Sequence, residues 1–213
     1  TGMEDYITRM LEEQEDIYYL CGPSREAIES GPYLEAFKAR NLEVLLLFEP
    51  ADEYVMQQLN EFDGKKLVAG DSENIDLEKI EDEEKTERLS KKDTKALCKW
   101  VKKALGDRVT EVESSDRLVD SPACVLNADK MSNAGMRRMM KAMGQPGNQN
   151  IKPILEINPS HAIIKKMKDM RKGKGFDNIS QLLFDQAMLL EGAKLKNPTD
   201  FVNRLNTILS NTL

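Results

Sequence analysis

Along the first seventy residues the apolar positions keep changing period. EDYITRMLEEQED reads as a helix, and IYYLC (17–21) follows as a short buried strand. Ser24 is placed to cap a helix through REAIES, and Pro32 suits the first position of a helix through PYLEAFKAR (32–40). LEVLLLF (42–48) is a continuous apolar run, the mark of a strand covered on both faces. A helix through DEYVMQQLNEF and a strand KKLVA complete the series. Strands alternating with helices imply a small, largely parallel sheet with helices on its faces.

Further on, Ser90 with Asp93 three residues later opens a helix whose apolar face is Leu97, Trp100, Val101, Ala104 and Leu105, and Gly106 can end it. VTEVESSDRL, PACVLNA and IKPILEINPS read as strands, and HAIIKKMKDM as a helix beginning near His161. From Phe176 the stripe Ile179, Leu182, Leu183, Gln186/Ala187 and Leu190 marks a helix of about four turns. Asn197-Pro198-Thr199-Asp200 is a strong helix start, with Phe201, Leu205, Ile208 and Leu209 as the next stripe. Two adjacent amphipathic helices form an αα-hairpin that buries only part of its apolar surface alone. It either docks on its own domain or pairs with a copy from another subunit.

One helix has an unusual composition. MSNAGMRRMMKAMG (131–144) holds five of the chain's 11 methionines. Met136, Met139, Met140 and Met143 share one face, and Met131 precedes the Ser132 cap as a hydrophobic staple would. Methionine specifies a unique core poorly but adapts to varied apolar partners, so a binding face competes here with a plain core face.

Composition narrows the class. With 213 residues, 40% hydrophobic and 32% charged, the chain suits one large or two ordinary soluble domains. No apolar run reaches the length of a membrane span, and the N-terminal residues have no signal-peptide character. Cys21, Cys98 and Cys124 are odd in number and lie far apart, which suits a reducing compartment; with a single histidine they argue against a metal site. The net charge of -6 hides a polarity. Residues 71–87 hold nine acids against two lysines, whereas residues 130–175 hold eleven Lys or Arg against Glu156 and Asp169. No aromatic residues interleave with the basic stretch except Phe176 at its edge, so nucleic acid is not the expected partner.

Catalytic patterns are missing. CGPSRE after the first strand has one glycine and neither GxGxxG nor GxxxxGK[ST], so no phosphate cradle is recognisable. Cys21 and Ser24 are nucleophiles by type only, and His161 reads as a local hydrogen-bonding residue. A small α/β hydrolase or nucleotide-binding enzyme is thus one alternative; a peripheral membrane or helix-binding module using the basic Met-rich helix is another.

Longer blocks carry a resemblance. IYYLCGPSREAIESGPYLEAFKARNLEVLLL, DEYVMQQLNEFDGKKLV, DRLVDSPACVL, MRRMMKAMG, LEINPSHAIIKKM and LLFDQAMLLEG resemble, in order, blocks of the heat-shock protein 90 chaperones, above all the bacterial high-temperature protein G type. The resemblance implies a fragment: residues 1–78 as the end of the family's middle domain and 79–213 as its C-terminal dimerisation domain. The implied fold is mixed, α+β with α/β: a small α/β/α layer, then a domain with a short antiparallel sheet and helices. That domain ends in a hairpin that builds an intermolecular four-helix bundle. Ile179, Leu182, Leu183, Gln186, Ala187 and Leu190 would then face the partner copy, with Phe201, Leu205, Ile208 and Leu209. The implied client-binding residues are Met131, Met136, Met139, Met140 and Met143, with Tyr54 and Glu53 at the junction of the two domains. The resemblance further implies no catalytic, metal or cofactor site here, ATP and Mg belonging to the full-length family. The expected partners are a second copy and partly folded proteins, with neither nucleic acid nor membrane. The ending LSNTL lacks the acidic tail that recruits repeat-domain cochaperones, which suits a bacterial-type cytoplasmic source or, alternatively, a mitochondrial one.

Overall fold

The computed structural model describes residues 2–49, 51–72, 75, 87–126, 152–170 and 174–212, apart from the side chains of Glu53, Gln57, Lys174, Asn211 and Thr212. These residues belong to two compact units. The expected boundary between residues 78 and 79 lies outside the described residues.

The first unit is built on a four-stranded sheet in the order β2-β1-β4-β3. Its strands are β1 (Ile17–Cys21), β2 (Val44–Leu47), β3 (Glu61–Phe62) and β4 (Lys65–Ala69). β1 pairs in parallel with both β2 and β4, as alternating strands and helices require. Side chains alternate between two apolar layers. Tyr18, Leu20, Val44, Leu46 and Val68 join Phe37 and Ile28 on one face, while Ile17, Tyr19, Leu45, Leu47 and Leu67 join Tyr6 on the other. That is why the apolar runs are unbroken. α1 (Met3–Arg9), α2 (Arg25–Glu29), α3 (Glu35–Ala39) and α4 (Asp52–Leu59) supply the helices. The Tyr6 hydroxyl ties α1 to the sheet: it donates to the Glu43 carbonyl at 2.5 Å and accepts from Tyr18 N at 2.9 Å and Gln14 Nε2 at 2.8 Å.

Two expectations are corrected here. The first helix stops at Arg9 instead of continuing to Asp16, and the fourth stops at Leu59 instead of Phe62. Asp63 and Gly64, both at positive φ, form a two-residue turn that pairs Phe62 with Lys65, so Glu61–Phe62 is an antiparallel edge strand.

The second unit packs α5 (Lys91–Leu105), α6 (Ala162–Asp169) and α7 (Lys174–Leu190) about a three-stranded sheet, and α8 (Pro198–Thr212) follows. The strand order is β5 (Val112–Ser114), β7 (Ile154–Ile157), β6 (Ala123–Leu126). This sheet is mixed, not antiparallel as expected: β5 runs parallel to β7, and only β6 opposes it. The core joins Leu97, Val101 and Leu105 of α5 to Val125, Leu155 and Ile157 of the sheet and to Ile164 and Met167 of α6. Ser90 caps α5 through Asp93 N at 3.1 Å. A buried ion pair, Arg117 Nε to Glu156 Oε2 at 3.1 Å, pins the loop after β5 to the central strand, helped by Ser115 Oγ donating to the same carboxylate at 2.8 Å.

Candidate functional site

The residues singled out at the end of the chain fall on α7 and α8. α7 turns Phe176, Leu183, Phe184 and Ala187 into the core of the second unit, with Leu182 also buried and Ile179 against the cluster. Leu182, Leu183 and Ala187 are therefore covered by their own chain, and Gln186 is exposed. The helix ends at Leu190 and the chain turns at Gly192, φ +74°, where Gly192 N donates to the Leu189 carbonyl and Ala193 N to that of Met188, both orphan acceptors of the last turn. Asn197 then caps α8 as its sequence foretells, accepting from Asp200 N at 3.3 Å.

Among its described side chains, α8 contributes no buried residue. Phe201, Leu205 and Ile208 are half-buried, whereas Val202 and Leu209 are 48% and 47% exposed. At the end of α7, Leu189 and Leu190 are 44% and 56% exposed. Val202 and Leu209 thus leave apolar surface of α8 open to solvent, as Leu189 and Leu190 do at the end of α7.

α8 is fastened by charge. Asp185, nearly buried on α7, accepts from Arg204 Nη1 of α8 at 3.0 Å and from Arg108 Nη2 of the 3-10 turn after α5. Arg108 also bonds Gln181 Oε1 and lies 4.5 Å over the Phe184 ring, and Gln181 Nε2 donates to the Ala104 carbonyl at 2.7 Å. Sequence reasoning missed this network. Its signal was an acid set inside the apolar run LLFDQAMLL, where an unpaired carboxylate would be costly.

In the first unit, Tyr54 on α4 is 57% exposed, beside exposed Val55 on the same helix; Leu59 and Phe48, which follows β2, are exposed as well. The side chain of Glu53 and all five proposed client-binding methionines, Met131, Met136, Met139, Met140 and Met143, lie outside what the structure describes.

Of the nucleophiles considered by type, Cys21 is partly buried against the first unit's apolar cluster and Ser24 has a structural duty. Ser24 Oγ caps α2 by accepting from Ala27 N at 3.2 Å. His161 Nδ1 accepts from Ile163 N at 3.1 Å, the capping role of a local hydrogen-bonding residue. Burial pushes the Cys98 thiol up to about 11, and burial reinforced by the Glu156 carboxylate raises that of Cys124 well above the usual range. Both thiols stay protonated and inert at neutral pH. Among the described residues, no group of three or more His, Cys, Asp or Glu could hold a metal ion, and no helix is long and apolar enough to cross a membrane.

Comparison with known proteins adds the decisive observation. The family model described as Hsp90 protein matches residues 1–213, the whole chain. The chain belongs to the Hsp90 family. Relatives named Chaperone protein HtpG match nearly all of it: 42% identity over 214 residues in Legionella pneumophila (strain Paris), 40% over 210 in Pseudoalteromonas translucida, 37% over 212 in Treponema denticola. These alignments cover 98%, 98% and 99% of this Hsp90-family chain and 33% of each relative, so the chain spans about a third of the length of the curated relatives it matches.

Proposed function

We propose that this Hsp90-family chain acts as the self-associating, client-holding part of an HtpG-type chaperone. The observation that carries the reading is α8: it is tethered by the Arg204–Asp185 ion pair, shows an apolar side to solvent, and follows the exposed end of α7. A second copy presenting the same face by two-fold symmetry would cover both, as a four-helix bundle does. The interface then draws on Leu190, Phe201, Leu205, Ile208 and Leu209, with Leu189 and Val202 added, while Leu182, Leu183 and Ala187 support it from the core.

Client binding falls to shallow apolar surface. Tyr54 and Val55 offer such a surface on α4, and the methionine face of residues 131–143 is proposed as its counterpart on sequence grounds. Burying a few such side chains yields only a few kcal/mol at about 25 cal/mol per Å², so contacts are weak and reversible, as holding a non-native chain requires. No catalytic role is assigned to these residues; ATP and Mg are proposed to act elsewhere in the longer relatives. Residence in a bacterial-type cytoplasm is part of the same proposal.

Charges introduced by Leu205→Glu and Leu209→Glu test the reading. The pair should convert a dimer to a monomer in size-exclusion chromatography at micromolar concentration, without unfolding the second unit, because neither residue lies in its core. An unchanged mass would refute the interface.

A further inference from the structure

The outward face of α5 carries a ridge of positive charge. Lys91, Lys95, Lys99 and Lys103 follow one another at four-residue spacing, all exposed, with Lys92 exposed beside them. At about 1.5 Å rise per residue the ridge places a charge every ~6 Å over ~18 Å. The opposite side of the helix packs Leu97, Val101 and Leu105 into the core. Lys102 is directed elsewhere, donating to the Gly106 and Val109 carbonyls at 2.8 and 2.7 Å.

No acid relieves this ridge from within the helix. Asp93, the single acid of α5, pairs with Lys168 at 2.9 Å, and Asp107 just beyond it pairs with Lys152 at 3.1 Å. Among the described residues, the four ridge lysines make no ion pair. Like charges at i,i+4 destabilise a helix by a few tenths of a kcal/mol per pair, where alternating Glu and Lys would stabilise it. The sequence keeps three such repulsive steps in a row on an otherwise well-capped helix.

We propose that this ridge is a docking surface for an acidic helical segment of another polypeptide, one with Asp or Glu at four-residue spacing. Such a segment repeats its carboxylates at the same ~6 Å pitch, so each lysine meets one. Single-stranded nucleic acid fits less well: the ridge has no exposed aromatic residue to stack on, since Trp100 packs against the core, and the chain's net charge is -6. Lysine ammoniums on flexible stems suit contacts that form quickly and are weakened by salt. The inference concerns a different surface from the apolar ones above and does not depend on them.

The test is fluorescence anisotropy with a labelled helical peptide carrying Glu at every fourth position, titrated with the full 213-residue chain at low salt. Lys95→Glu with Lys99→Glu should lower affinity at least tenfold while leaving the melting temperature unchanged or raised, because two of the three repulsive steps, 91–95 and 99–103, become attractive and only 95–99 remains a like-charge pair. Raising salt to physiological strength should weaken the wild-type complex strongly. The proposal is overturned if the wild-type chain does not bind the peptide, if the double substitution leaves binding intact, or if an oligothymidine of equal charge binds more tightly.

Discussion

Replacing Asp185 by Ala probes how the terminal helix is held. Its carboxylate is almost fully buried and holds two guanidiniums, those of Arg108 and Arg204, whose side chains are 30% and 24% exposed. Breaking a buried pair by removing one partner costs about 3–5 kcal/mol, because a buried charge is left uncompensated. Partial solvation of both arginines argues for the lower end, about 3 kcal/mol. For a chain of this size that corresponds to a fall in melting temperature of roughly 10 °C. The assay is a double-mutant cycle in urea with Asp185→Ala, Arg204→Ala and both. The two losses should be non-additive, with a coupling energy of about 1–2 kcal/mol. Asp185→Ala within about 0.5 kcal/mol of the unmodified chain, or strictly additive losses, would show that the carboxylate does not fasten α8.

Three other outcomes follow from the packing. Gly192→Ala places a side chain at φ +74° and should cost about 1 kcal/mol in chemical denaturation, by fraying the turn between α7 and α8. Gly70→Ala would set a Cβ 2.7 Å from Leu20 Cδ2 and 3.1 Å from Phe37 Cε2, so the first unit should lose about 1–3 kcal/mol, read by its urea midpoint. Burial raises the Tyr6 pKa to about 12 from 10.0. The unfolded chain therefore gives up this proton first as pH rises, and the stability contributed by Tyr6 is fully present below pH 10 and lost on passing from 10 to 12. Tyr6→Phe should flatten that part of the stability–pH curve and cost about 2 kcal/mol at neutral pH, since Gln14 Nε2 and Tyr18 N lose an acceptor.

Much of this architecture was legible because period and capping agree with burial. The continuous runs IYYLC and VLLL became parallel strands sandwiched between two apolar layers, and Ser24, Ser90 and Asn197 cap the helices their positions announce. The misread elements have local reasons. Asp63-Gly64 is a strong two-residue hairpin signal, but the helical reading of the residues before it ran past Leu59 and hid β3. The direction of β5 could not be taken from a three-residue strand whose parallel partner, β7, begins forty residues after β5 ends. In the terminal stripe, periodicity identified which residues of α7 are apolar but not what they meet. Leu183 and Ala187 meet their own core, and a charge at Leu183 would unfold the unit before it could split a dimer. Asp185 and its two arginines escaped because each pairs with a residue distant in sequence or on the next helix.

Self-association through α8 is the central property proposed for this chain. Sedimentation equilibrium of the unmodified chain across a dilution series from high to low micromolar concentration measures it directly. A mass of twice 24.2 kDa that persists on dilution is the expected result. A folded species of 24.2 kDa at every concentration would contradict the account, because the apolar side of α8 would then stand uncovered in water without a partner.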